Sequence, residues 1–469
     1  MEFPYGRAPL AILILTLFGG AWIAVATMAQ EARPEPDLYF ATFAKDHAVA
    51  YAPLIRQFEE ERGVDIEIQV VDQRALQSRL ASSMQSGSPT PDMVELLGGT
   101  MGVFTKGPID DVGFIDLTER VEAEGLMNKV VASRFPQWMS RGHVFAVPHD
   151  VHPAMLIYNR DLLEELGVDE SELTTWDDFM RVARERVVKD FDGDGRIDHY
   201  MIDLPTNAGD ILRLMLLQNG GRLFDEDGQV TFDSPEAVEI IDWYIRASYG
   251  PDRISFPAGW GQELAQAIID GVVVFVPAPD WRTKQFENDI ASMSGKMGLM
   301  PLPAWEPGGR RTSTWGGTGL AITKQAAERG KDDLAWELTK YLYYSNPESL
   351  AERFADTNIL PPLKSAWELS EFDEPNPYFS DQAVGREYAD LADAVPFDNA
   401  SPYEMQALAK ILEAMTKAAG YYRDNGYDDA GLRERIELEL KDAADDIRER
   451  IDRNVFLSAD AEAVGGSDE

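Results

Sequence analysis

Hydrophobic positions along the chain change period several times, and each change marks an element. Residues 37–44, DLYFATFA, read as a first strand. In residues 50–63, AYAPLIRQFEEERG, apolar Ala52, Ile55 and Phe58 recur at helical spacing and Gly63 ends the run, which predicts an amphipathic helix. VDIEIQVV alternates as a strand, ALQSRLASSMQSG returns to a helix ending at Gly87, and TPDMVELLGG is a short buried strand with a Gly-Gly exit. Strands alternating with helices predict a parallel sheet covered by helices.

Residues 145–168, FAVPHDVHPAMLIYNRDLLEELGV, run from one apolar strand through a Pro/His/Asp turn into a second strand and then a helix. Beyond it, Thr175 opens TTWDDFMRVARERV as an N-cap, with Asp178 three residues on as an acidic variant of the capping box. Ser234 and Pro235 cap SPEAVEIIDWYIRASYG, and Gly250 stops it. WGQELAQAIIDG reads as a helix, VVVFVPAP as a strand with a Pro-rich exit, RTSTWGGTGLAI as a Gly-rich approach to a strand, and DDLAWELTKYLYY as a helix. Leu432, Ile436, Leu440, Ala443, Ile447 and Ile451 form one apolar face of a late helix. Residues 458–469, SADAEAVGGSDE, read as a disordered tail. No internal repeat is visible.

Charge narrows the possible partners. The 469 residues carry 82 acidic and 43 basic side chains, a formal net charge of −39. Such a polyanion repels nucleic acid and anionic lipid. The acids are spread over nearly every helix, which suits a solvated surface in high salt, a halophilic trait, better than one cationic partner. With no cysteine, disulfides, thiolate catalysis, Cys-zinc sites and a lipid-modified N-terminal cysteine are excluded. Residues 8–26 are apolar and uncharged after Arg7, end in a small-x-small Ala-Val-Ala, and precede an acidic flank. Two readings remain open for residues 1–30: a cleaved signal peptide or a retained membrane anchor. Both place the remainder outside the cytoplasmic membrane.

Four stretches carry a resemblance. They are residues 38–71, TPDMVELLGG, VFAVPHDVHPAMLIYNRDLLEELGV with the following TTWDDF, and AIIDGVVVFVPAPDW through TSTWGGTGLAI. In this order and spacing, over roughly residues 37–455, the chain resembles the extracellular solute-binding proteins of ABC importers, in the maltose-binding-protein-like carbohydrate branch. The resemblance implies an α/β, two-lobed periplasmic binding protein fold of type II-like topology. Each lobe would be a mixed, mostly parallel sheet flanked by helices, joined by crossing hinge strands. Lobe 1 is expected over 37–150 and 324–370, and lobe 2 over 151–323 and 371–457. His149, Asp150, Val151 and His152 would then lie at the crossing, facing a ligand cleft; a plain surface turn is the alternative.

A sugar site needs aromatic platforms and hydrogen-bonding groups in a plane. Trp260, Trp281 and Trp315 lie at loop ends, and the resemblance places Trp281 and Trp315 where the family commonly binds ligand. Asp280 puts a carboxylate beside Trp281, and Gly316 and Gly317 let a ligand approach the backbone. His47 and Glu95 sit at strand C-terminal ends, where open α/β sheets bind ligands. Tyr403 is a weaker candidate. Packing of any one tryptophan in the core is the competing reading.

In DFDGDGRID, Asp190, Asp192, Asp194 and Asp198 fall at positions 1, 3, 5 and 9 of a calcium loop, with Gly195 at position 6 and the Arg196 carbonyl at 7. Met201 stands at position 12 in place of glutamate. A structural Ca2+ is the expectation, and an acidic Asx-rich turn the alternative. The five histidines, His47, His143, His149, His152 and His199, show no i,i+4 metal pair, and no GxSxG, Walker A or HExxH motif occurs.

The expected function is capture of a sugar or oligosaccharide for an ABC permease, by a monomer, without an organic cofactor and without turnover. Two alternatives remain: the same fold binding a polyamine, phosphorylated polyol or metal chelate, or a secreted glycoside hydrolase using Asp150 and Asp280.

Overall fold

The computed structural model describes residues 35–457. The apolar N-terminal run and the C-terminal acidic tail lie outside the described residues, and no described helix is long and apolar enough to cross a membrane.

Two five-stranded sheets organise the chain. The first begins with β1 (Leu38–Thr42), β2 (Ile66–Val70) and β3 (Met93–Leu97), connected by α1 (Lys45–Arg62) and α2 (Gln73–Ser86). Both helices end at glycines with positive φ, Gly63 and Gly87, as their sequence positions predict. The chain then reaches β4 (Val147–Pro148) and leaves this sheet. β5 (Ala154–Asn159) opens the second sheet, followed by β6 (Tyr200–Asp203), β7 (Ser255–Phe256), β8 (Val273–Pro279) and β9 (Met297–Pro301). β10 (Thr318–Ile322) returns to the first sheet between β3 and β4. The orders are β2-β1-β3-β10-β4 and β9-β5-β8-β6-β7, each mixing parallel and antiparallel pairs.

Each sheet is buried on both faces. Leu38 and Phe40 enter one core of the first lobe and Ala41 the other; Leu156 and Tyr158 enter one core of the second lobe and Met155 and Ile157 the other. The Thr175 hydroxyl accepts the Asp178 N–H at 3.1 Å, and the Ser234 hydroxyl that of Ala237, so both expected caps form. The late helix Leu432–Asp452 buries Leu432, Ile436, Leu440, Ala443 and Ile447, while Ile451 packs half-buried at its end.

The expected lobe boundaries need two corrections. β10, assigned to lobe 2 by residue number, pairs with β3 in lobe 1. Residues 347–370, assigned to lobe 1, supply Leu350, Phe354, Leu360 and Trp367 to a lobe 2 core. Among the described residues the chain thus crosses between lobes three times: after Pro148, before Thr318, and between the helices Asp332–Tyr343 and Pro347–Thr357. The first two crossings run side by side, joined by His149 N–H to the Thr318 carbonyl and Ala154 N–H to the Ser313 carbonyl.

Candidate functional site

A cleft of roughly 860 Å³ opens between the lobes along these crossings. Of the residues singled out in the sequence, His47, Trp260, Trp281, Trp315, Gly316 and Gly317 line it, together with His152. The three indoles cluster on the second-lobe side. Trp260 and Trp281 are near parallel at 8° with centroids 6.1 Å apart, and Trp315 stands edge-on to both at 5.4 and 5.8 Å. The Trp281 indole N–H donates to the Trp315 carbonyl at 3.3 Å. Arg282 lies under the cluster, its guanidinium 4.3 Å from the Trp260 ring, and burial pulls its pKa down to about 10. Its Nη1 is fixed on the Pro277 carbonyl at 2.7 Å, so the platform is held from below. Gly316 and Gly317 have φ of +86° and +126°. A Cβ on Gly317 would lie 2.1 Å from Arg134 Nη2, so only glycine fits there.

The charged lining is almost balanced. Asp46, Asp210, Glu352, Asp356 and Asp398 face Lys45, Arg213, Lys284 and Arg353. Against a chain charge of −39 this is a local exception. Arg213 binds Asp398 and also Glu404, the latter at 2.7 Å. Burial pushes the Glu404 carboxyl up to about 7 against the opposing pull of Arg213. The sequence reading missed Arg213 and Asp398. Arg213 had a visible signal, the single basic residue within the apolar helix Gly209–Gln218.

Five expected ligand contacts, Glu95, His149, Asp150, Asp280 and Tyr403, are absent from this cleft lining. Asp150 is fully buried at the crossing, accepting the Thr318 N–H at 2.9 Å and facing Arg134, His149 and His152. Asp280 is equally buried; its carboxylate accepts from Trp281 N–H at 2.8 Å and from Leu360 N–H at 2.6 Å. His152 bridges the two, Nε2 at 3.1 Å from Asp150 and Nδ1 at 2.5 Å from Asp280. Burial opposes charging of this ring, but the two carboxylates outweigh it and raise its pKa to about 9. His152 also holds φ of +56°, a left-handed conformation uncommon for residues other than glycine. The hinge histidine is therefore clamped between two carboxylates that favour its imidazolium form. Neither carboxylate is free to flank a glycosidic bond, which removes the pair considered for hydrolysis.

Glu95 is occupied beneath the cleft. It accepts from Tyr51 at 2.5 Å, Tyr343 at 2.6 Å and Thr42, and pairs with His47 at 3.2 Å. Burial would raise its pKa, but His47 and these donors hold it well below the usual carboxylate range. Burial and the neighbouring His47 take the His149 pKa down to about 4. Tyr403 is buried at the start of the helix Glu404–Asp424, its hydroxyl donating to the Arg450 carbonyl, and lines a separate groove. In the acidic loop, Asp190, Asp192 and Asp194 bring carboxylate oxygens within 4.8 Å of one another. Asp198 accepts the Phe191 N–H, and Met201 is buried in β6.

Relatives match this architecture. The arabinooligosaccharide-binding protein of Halalkalibacterium halodurans is 27% identical over 378 residues, covering 78% of this chain and 81% of the relative. The arabinooligosaccharide-binding protein of Bacillus subtilis is 25% identical, covering 64% and 69%. The solved structure of the sugar-binding protein MalE from Xanthomonas citri shares the fold with a TM-score of 0.67 at 20% identity, covering 88% of this chain and 99% of that one. Residues 44–344 match the family of bacterial extracellular solute-binding proteins, and the chain belongs to that family.

Proposed function

We propose that this protein captures a neutral oligosaccharide between its lobes and delivers it to an ABC importer permease at the outer face of the cytoplasmic membrane, without chemical turnover. The observation that carries this reading is the three-indole wall facing a cleft whose carboxylates and cations nearly cancel. Indole faces suit the C–H faces of pyranose or furanose rings, and the Arg213–Asp398 pair offers donors and acceptors to hydroxyls. A polyamine would want an excess of cleft acids, and a phosphorylated polyol an excess of cations; the lining has neither. The two relatives named for arabinooligosaccharide make pentose oligomers the first ligands to try.

The protein acts as a monomer in this reading, with residues 1–30 serving as a cleaved signal or a membrane anchor. The Asp190–Asp198 loop is read as a structural calcium site, supported by its clustered carboxylates. A thermal-shift screen over arabino-oligosaccharides, lactose, malto-oligosaccharides, polyamines and polyol phosphates tests the ligand class, since bound ligand stabilises by RT ln(1 + [L]/Kd). The reading expects upward shifts with neutral saccharides and no new product on chromatography. Shifts confined to amines or phosphates, or product accumulating with time, would refute it.

A further inference from the structure

The buried side-chain cluster under the cleft holds more ligating chemistry than sugar capture uses. His47, Glu95 and His149 each offer a ligand atom, all within 4.8 Å of one another, and all three side chains are buried. His47 comes from the first turn of α1, Glu95 from the middle of β3 and His149 from the crossing just after β4.

The orientation of His149 is the second observation. Its Nδ1 lies 3.1 Å from the Asp150 carboxylate, which assigns the ring proton to that nitrogen. Nε2 then carries the lone pair. It is buried and has no hydrogen-bond partner among the described residues. The ring sits 4.4 Å from the His47 ring and 4.9 Å from that of Tyr343, centroid to centroid, so the ring that carries the free nitrogen packs against the other members of the cluster. An unpaired buried acceptor is destabilising unless something binds it. A carboxylate on one imidazole nitrogen with the other left free is the arrangement that orients metal-binding histidines.

Glu95 is oriented in the same way. The Tyr51 and Tyr343 hydroxyls both donate to Oε1, while Thr42 donates to Oε2. His47 Nδ1 stands 3.2 Å from Oε2, a normal separation for two ligands sharing one small cation. We propose that His47, Glu95 and His149 bind one divalent transition-metal ion such as Zn2+. Two imidazoles and one carboxylate suit Zn2+, Co2+ or Fe2+ and are poor ligands for Ca2+, which prefers all-oxygen sites. The ion would tie α1, β3 and the crossing together on the first-lobe side of the hinge. His47 also lines the sugar cleft, so the ion would sit just below its floor.

The test is Zn2+ titration of the chelator-treated full chain, with millimolar Ca2+ present to fill the acidic loop, and X-ray absorption of the Zn2+-loaded protein. One Zn2+ per chain is expected, with two imidazoles in its coordination shell. His47→Gln and His149→Gln should each weaken binding by more than ~100-fold, beyond the 10–100-fold typical of losing an orienting partner. No retained Zn2+, a shell of oxygens alone, or affinity unchanged in both variants would overturn the proposal. If either variant fails to fold, the absorption spectrum of the unmodified chain decides. Sugar binding measured on the metal-free protein keeps this test separate from the capture reading.

Discussion

Replacing His152 with asparagine removes the charge from the hinge clamp while suiting the positive φ at that position. The size of the effect follows from the ring's environment. Asp150 and Asp280 raise its pKa from 6.5 to about 9. At about 1.4 kcal/mol per pH unit, that difference corresponds to roughly 3 kcal/mol of folding stability. The folded value lies above the unfolded one, so the contribution is complete below about pH 6.5, where both states hold the proton. It declines as pH rises, because the folded protein must keep a proton that the unfolded chain has released, and it is gone above about pH 9. Urea unfolding followed by circular dichroism, at intervals from pH 6 to pH 10, gives the stability gap between the natural protein and His152→Asn. The surface repulsion of −39 charges is common to both proteins and cancels in the difference. The gap should shrink by roughly 3 kcal/mol over this range. A gap independent of pH would show that His152 is not a clamped imidazolium.

Three further outcomes are expected. Trp281→Ala removes one of the three indoles of the wall; by analogy with aromatic anchors elsewhere it should cost about 2 kcal/mol of saccharide binding, roughly 30-fold in Kd by calorimetry, with little change in melting temperature. In Gly102→Ala the new methyl would sit 2.0 Å from the Ser401 carbonyl across the lobe contact. Overpacking of about 1–3 kcal/mol should hold the lobes apart, enlarging the radius of gyration in scattering and weakening ligand binding. Asp190→Asn should abolish the rise in melting temperature that Ca2+ gives after chelation, and the unmodified protein should show that rise.

The hinge was legible because prolines, histidines and an aspartate interrupt two apolar runs that could otherwise form one strand, and the structure crosses lobes there. The indole wall was partly legible: Trp260 and Trp315 stand beside glycines at loop ends with no helix stripe to complete, whereas Trp281, expected at a loop end, lies in the first turn of the helix Asp280–Asp289. The side on which a residue faces was not legible. His149 and Asp150 follow the end of β4 as expected, whereas Glu95 sits in the middle of β3 and not at its C-terminal end; adjacent positions point in opposite directions, and the neighbours Tyr51, Tyr343 and Thr318 come from distant sequence. The sheet membership of β10 was likewise hidden, since strand pairing is a non-local property. Arg134, fully buried and bonded to the Thr314 hydroxyl and the Gly316 carbonyl, sits in an ordinary stretch, ASRFPQW, with nothing local to reveal its role.

Isothermal titration of neutral di- to tetrasaccharides into the purified protein tests the central claim most directly. At least one should bind with one-to-one stoichiometry, at micromolar or tighter Kd, and with a negative heat-capacity change from burial against the indoles. Heats of dilution alone across the panel, with saturable binding seen only for charged solutes, would contradict it.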